Sequence, residues 1–169
     1  LFLTFRQARP AGEGRTVVEQ IWLQSWYAPE AHQERIVYRL QSNSNSLTIE
    51  LPPRISDQKL EVVLDGKAVT NFERRSAQLL IPLLKSSELV NHTLELRYVE
   101  SFGFAPWSQM QTEMPQVGGD SLAADMKWQV VLPKNYWIVM GPESLAKAHR
   151  WRWSQTGLRP EPLASTREL

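Results

Sequence analysis

The sequence predicts an all-β fold, built as an antiparallel β-sandwich, from three observations. Apolar and polar residues alternate with a period of two through most of Arg35–Val99. Ile36, Tyr38 and Leu40 alternate with Arg35, Val37, Arg39 and Gln41, and Leu94, Leu96 and Tyr98 with Thr93, Glu95 and Arg97. A strand points successive side chains to opposite faces, so this rhythm gives one dry and one wet face. The second observation is Asp65-Gly66 between two apolar runs, a strong two-residue hairpin signal because a type I′ turn needs positive φ at both positions. The third is size: the patterned block ends near Val99, at about one hundred residues, the length of an immunoglobulin-like sandwich.

The elements follow in order. Leu1, Leu3 and Phe5 alternate with Phe2, Thr4 and Arg6 as a first strand, and Gly12 and Gly14 mark a turn. Thr16 to Tyr27 reads as a long second strand rich in β-branched and aromatic residues. Strict alternation puts Val17, Ile21 and Leu23 on one of its faces and Val18, Trp22 and Trp26 on the other, so both faces are expected to be covered.

Arg35–Gln41 and Leu47–Leu51 flank the polar Ser42–Ser46 segment as a candidate hairpin, and Pro52 and Pro53 stop the second of these strands. Leu60, Val62 and Leu64 lead into the Asp65-Gly66 turn. Ala77–Leu84 is a further strand, which Pro82 confines to an edge or a bulge.

From Glu100 to Asp125 the pattern weakens, with only the Met110–Met114 neighbourhood extended. Met126, Trp128, Val130 and Leu132 restore alternation. Tyr136–Met140 reads as a short buried strand, Ser144–Ala148 as one helical turn, and His149–Trp153 as a final strand. The predicted organisation is therefore a sandwich block over 1–100 and an irregular connection over 101–124. Additional strands over 125–156 either pack on that block or make a small second sheet, and 157–169 form a tail or linker. The expected core comprises Ile21, Leu23, Ile36, Tyr38, Leu40, Leu47, Ile49, Leu60, Val62, Leu64, Leu94, Leu96, Trp128, Val130 and Leu132.

Composition narrows the function classes. In 169 residues, 19 basic side chains meet 18 acidic ones, so no global basic field favours nucleic acid. The absence of cysteine removes disulfides, zinc–thiolate sites and thiol nucleophiles together. The chain opens at Leu1 rather than Met, which predicts a processed product or an excised segment. Its longest apolar runs fall far below the roughly 20 residues of a membrane helix. His32, His92 and His149 lack metal-ligand spacing, and Asp120 and Asp125 lack the alternating oxygen ligands of a calcium loop. No nucleophile elbow, P-loop or dinucleotide fingerprint occurs. The expectation is a non-enzyme with no cofactor and no metal.

The 7 tryptophans are the first candidates for contact with a ligand. Each buries roughly 150–250 Å², worth about 4–6 kcal/mol, so most are expected in the core, Trp22 and Trp128 among them. Trp107 sits in a proline-containing loop, and Trp151 and Trp153 alternate with Arg150 and Arg152 in the run His149-Arg150-Trp151-Arg152-Trp153. These five residues are the candidate contact site. Cations interleaved with aromatics suit an anionic surface, and the same alternation describes a half-buried strand with one charged face.

The runs YRLQSNSNSLTIELPP, LEVVLDGKAV, LLIPLL, HTLELRY, MKWQVVLPKNYWIVMGP and HRWRW resemble β-rich segments of very large envelope proteins of planctomycete-type bacteria. The resemblance spans Arg35 to Trp153 and carries no assigned activity. It implies an extracytoplasmic setting, in the periplasm or cell envelope, with any membrane anchor outside this segment. The functional expectation is a non-catalytic module, a spacer or protein-interaction domain contacting a protein partner or neighbouring domains of its own chain. A carbohydrate-binding module using exposed tryptophans is the alternative from another class, and an unrecognised hydrolase is the third.

Overall fold

A computed structural model describes residues 2–4, 14–28, 30–53, 55, 60–101, 111–118, 125–134, 136, 149–154 and 157–162. Its strands are β1 (Phe2–Thr4), β2 (Thr16–Tyr27), β3 (Ala31–Ser42), β4 (Ser46–Glu50), β5 (Glu61–Leu64), β6 (Lys67–Ala68) and β7 (Glu73–Arg75). They continue as β8 (Gln78–Pro82), β9 (Val90–Ser101), β10 (Gln111–Glu113), β11 (Gln116–Val117), β12 (Asp125–Val131), β13 (His149–Ser154) and β14 (Gly157–Pro162). A six-stranded sheet has the order β12-β2-β3-β9-β5-β6, and a four-stranded sheet the order β11-β4-β8-β7. Two-stranded sheets join β1 to β10 and β13 to β14.

The predicted β-sandwich is what forms. The inner face of the six-stranded sheet carries Ile21, Leu23, Ile36, Tyr38, Leu40, Leu94 and Leu96, each 6% exposed or less. Leu47, Ile49, Leu79 and Ile81 of the four-stranded sheet, at most 1% exposed, belong to the same apolar cluster. Cross-strand rows build it: Ile21 pairs with Tyr38 and Tyr38 with Leu94, while Leu47 faces Ile81 and Ile49 faces Leu79. Such rows are the unit of sheet cohesion, and burial of each large aliphatic side chain contributes about 1.5–3 kcal/mol.

The Asp65-Gly66 turn has the predicted geometry, with φ of 50° and 77°, and pairs Leu64 with Lys67. Asp65 also fastens the hairpin to β9: its carboxylate accepts from the Thr93 N–H at 2.8 Å and lies 2.8 Å from His92 Nδ1. Pro82 ends β8 opposite Ser46, beyond the reach of β7, whose pairing stops at Leu80. Its missing N–H therefore costs the ladder nothing on that side.

Four expectations are corrected. The Ser42–Ser46 segment is an arch between sheets, not a hairpin, because β3 and β4 lie in different sheets. Ser42 Oγ pairs with Thr16 Oγ1 at 2.9 Å and accepts from the Ser44 N–H, and Asn43 accepts from the Arg15 N–H at 2.7 Å. These bonds turn the chain out of the first sheet, and Gly14 (φ +130°) lies so close that a Cβ there would stand 2.7 Å from Ser44 Cα.

On β2, a bulge between Val18 and Gln20 inserts Glu19 and reverses the alternation. Val18, not Val17, joins Ile21 and Leu23 in the core. Trp22 falls on the outer face at 40% exposed, so the second face of β2 is not closed over it as expected.

At the C-terminal side, β12 runs parallel to β2 on the edge of the large sheet. Trp128 consequently packs on the core only in part, Val130 and Leu132 are half-buried, and Leu64 beside its hairpin is half-buried as well. An edge strand has a neighbour on one side only, so its inward side chains reach just the margin of the interior.

The connection over 101–124 contains β10 and β11, and β11 adds Val117 to the core against Ile49. Within the expected tail, Gly157–Pro162 is a strand paired with β13 over six positions. The expected strand at Tyr136–Met140 beyond its first residue and the helical turn at Ser144–Ala148 lie outside the described residues.

Candidate functional site

Where β2, β3 and β9 end together, the inner face turns polar. Ser25, Glu34 and Tyr98 occupy one cross-strand row, and Tyr27, His32 and Glu100 the next. Glu34 and Ser25 are 0% exposed and Tyr98 1%, placing a carboxyl group in the sandwich interior. An unpaired buried carboxylate is strongly unfavourable, and its neighbours supply the compensation.

Tyr98 Oη donates to Glu34 Oε2, and Ser25 Oγ donates to Oε1 at 3.1 Å. Ser25 in turn accepts from the Trp128 indole N–H at 3.0 Å, so the edge strand β12 is tied to the same group. His32 stacks on Tyr27 with ring centroids 4.2 Å apart. Its Nε2 lies 3.0 Å from Glu34 Oε1 but outside hydrogen-bonding geometry.

Burial and the Glu34 charge hold the phenols of Tyr38 and Tyr98 well above the ordinary tyrosine range. Tyr38 Oη donates to the Pro115 carbonyl, which fixes the 114–117 segment against the core. The arrangement is therefore one of phenol and hydroxyl donors closing over a carboxylate, with Glu100, 4.0 Å from His32 Nδ1, half-buried at its margin. Sequence alternation places Glu34 on the dry face of β3 in phase with Ile36 and Tyr38, and that phase was the available signal for it.

The outer face of the large sheet holds a second polar arrangement. Arg35 makes two bonds to the Glu95 carboxylate, at 2.7 and 2.9 Å, and one to Gln24 Oε1 at 2.9 Å. Gln24 donates to Gln129 at 2.8 Å. The Arg35 guanidinium lies over the Trp22 ring, 5.6 Å from its centroid. These bonds raise the Arg35 pKa and lower that of Glu95, each chiefly through the hydrogen bonds between them.

Arg150, Trp151, Arg152 and Trp153 lie on β13, opposite Glu161, Pro160, Arg159 and Leu158 of β14. Trp107 and Asp120 lie outside the described residues, and Asp125 accepts from Gln20 Nε2 at 3.2 Å. His92 pairs with Asp65 and His32 with the buried cluster. Among the described residues, no group of three or more His, Asp or Glu side chains is placed to hold a metal ion, and no helix is long and apolar enough to cross a membrane.

The fold defines the class: a β-sandwich module. No family model and no curated protein matches the sequence. Among solved structures, the chain is similar to the M1 zinc metallopeptidase from Deinococcus radiodurans, at 15% identity and a TM-score of 0.40, over 53% of this chain and 21% of that one. It is similar also to Legionella pneumophila aminopeptidase A (12% identity, TM-score 0.39, 55% of this chain and 11% of that one). A third likeness is to yeast LTA4 hydrolase (17%, TM-score 0.40, 55% and 17%). The chain spans no more than 21% of the length of these three proteins.

Proposed function

We propose that this chain is a non-catalytic sandwich module, a spacer or protein-interaction domain of a larger extracytoplasmic envelope protein. The observation that supports this reading is the closure of the Glu34 cluster. A general acid or base must come within hydrogen-bond reach of the proton it moves. Glu34 and Ser25 are 0% exposed, and the Tyr98 and Ser25 hydroxyls already occupy the carboxylate. The cluster serves cohesion of three adjacent strands, and contact with other molecules falls to the sheet faces and edges.

Two measurements test the reading. Protease added to cells whose outer membrane has been opened and whose inner membrane is intact is expected to cleave this segment of the parent protein; protection until the inner membrane is lysed would place it inside the cytoplasm and overturn the envelope setting. The purified chain is expected to leave a panel of chromogenic ester, glycoside and aminoacyl-amide substrates unchanged. Turnover that disappears in Glu34→Gln would make the cluster an active site and end the non-catalytic reading.

A further inference from the structure

We infer that the outer face of the six-stranded sheet is a platform for a neutral polysaccharide, with the Trp22 indole as the surface on which a sugar ring stacks. Trp22 sits within the sheet, not at its rim, with Lys127 on one side and Val37 on the other, and is still 40% exposed. With the half-buried Trp26 on the same face of β2, the indole gives that face an apolar strip bordered by polar side chains. Sugar rings present patches of C–H bonds that an indole face covers, while their hydroxyls need donors and acceptors at the margin.

That margin is present and already ordered. Gln129, Gln24 and Arg35 occupy one cross-strand row over β12, β2 and β3, joined to each other and to Glu95 by the hydrogen bonds given above. Arg35, fixed by Glu95, holds the indole in place. A ligand that stacks there meets side chains whose rotamers are settled, so less ordering entropy opposes binding. The exposed Gln129 amide, with the half-buried Arg35 guanidinium and Glu95 carboxylate, matches hydroxyls that donate and accept.

Charge and length choose the ligand class. The cations near Trp22, namely Arg35, Arg39, Arg97 and Lys127, share the face with Glu61, Glu95 and Asp125, and Glu95 pairs with both Arg35 and Arg97, so the surface is mixed in sign and lacks the concentrated basic field that a phosphate backbone or an anionic lipid needs. Trp26 follows on the same face four residues along β2, about 13 Å away at 3.3 Å per residue. Two indoles at that spacing suit an extended chain of several rings more than a single sugar.

Native electrophoresis of the full 169-residue chain through gels containing neutral polysaccharide tests the proposal. The probes are β-glucan, xylan, mannan and starch, with polygalacturonate as the charged comparison. Retardation by at least one neutral polymer is expected. Trp22→Ala should weaken it about thirtyfold, the scale of a buried-on-binding aromatic anchor. Gln129→Ala, on an exposed edge position, should weaken it less while leaving the melting temperature unchanged. Retardation by none of the four neutral polymers, or by polygalacturonate alone, overturns the proposal, as does a folded Trp22→Ala that is retarded like the parent. Such a failure leaves the spacer-or-interaction reading standing, since that reading rests on the closed Glu34 cluster.

Discussion

Tyr98 on β9 donates its hydroxyl hydrogen to Glu34 on β3, its direct register partner, and both side chains are buried. The bond joins two of the longest strands at the point where the inner face stops being apolar. A hydrogen bond to a charged group contributes about 1.5–3 kcal/mol, and losing one partner of a buried pair leaves the other unsatisfied. Tyr98→Phe is therefore expected to lower unfolding stability by about 1–3 kcal/mol in urea titrations, with the slope unchanged. A midpoint equal to the parent's would show that the hydroxyl contributes nothing.

The same phenols predict alkaline sensitivity. Burial first, and the Glu34 charge second, raise the pKa of both Tyr38 and Tyr98 well above the ordinary 10.0. Above that value the unfolded chain loses phenol protons that the folded chain keeps, so the folded state binds more protons and stability falls as pH rises. Stability should be level with respect to these groups below about pH 10 and decline above it. Phenolate absorbance should rise together with the loss of folded signal. Two phenols that titrate in the fully folded protein near 10.0 would contradict this.

Gly14 and Gly66 separate steric from conformational cost. At Gly66 (φ +77°) nothing lies within 4 Å of an added Cβ, so Gly66→Ala should cost only the left-handed backbone term, about 1–2 kcal/mol. At Gly14 (φ +130°) the added carbon also meets Ser44 Oγ at 2.5 Å and its Cα at 2.7 Å. Gly14→Ala should be the more damaging of the two in thermal melts. The reverse order would mean that the inter-sheet arch yields easily.

Core and edge positions should respond unequally to truncation. Leu79, 0% exposed beneath the four-stranded sheet, should lose about 2–5 kcal/mol as Leu79→Ala. Leu132, half-buried just past the edge strand β12, should lose clearly less as Leu132→Ala. Equal losses would show that the C-terminal strand is as central as its alternation implied.

Much of the fold was legible because period-two alternation and the Asp65-Gly66 turn are local signals. β2 has the bounds that its β-branched and aromatic content predicts, Thr16 to Tyr27. The alternation could not reveal Glu19 as a bulged residue, because an inserted residue leaves apolar side chains on either phase and only the partner strand decides which phase is buried. Trp22 reads as buried for another reason: both phases of β2 carry apolar residues, and an indole is costly to leave in water. The Ser42–Ser46 segment reads as a hairpin because two amphipathic strands joined by a polar link bury their faces equally well side by side or across a sandwich.

The sequence by itself determined that this chain makes sheets, where several strands begin and stop, and which residues of β3, β4 and β9 are dry. Those properties depend on neighbours along the chain. The tertiary structure alone decided which strands share a sheet, that β12 runs parallel along β2, and that Glu34 meets Tyr98, Ser25 and, through Ser25, Trp128. Hydrogen-bond partners 9 to 103 residues apart are fixed by register between strands, and register is a property of the assembled sheets.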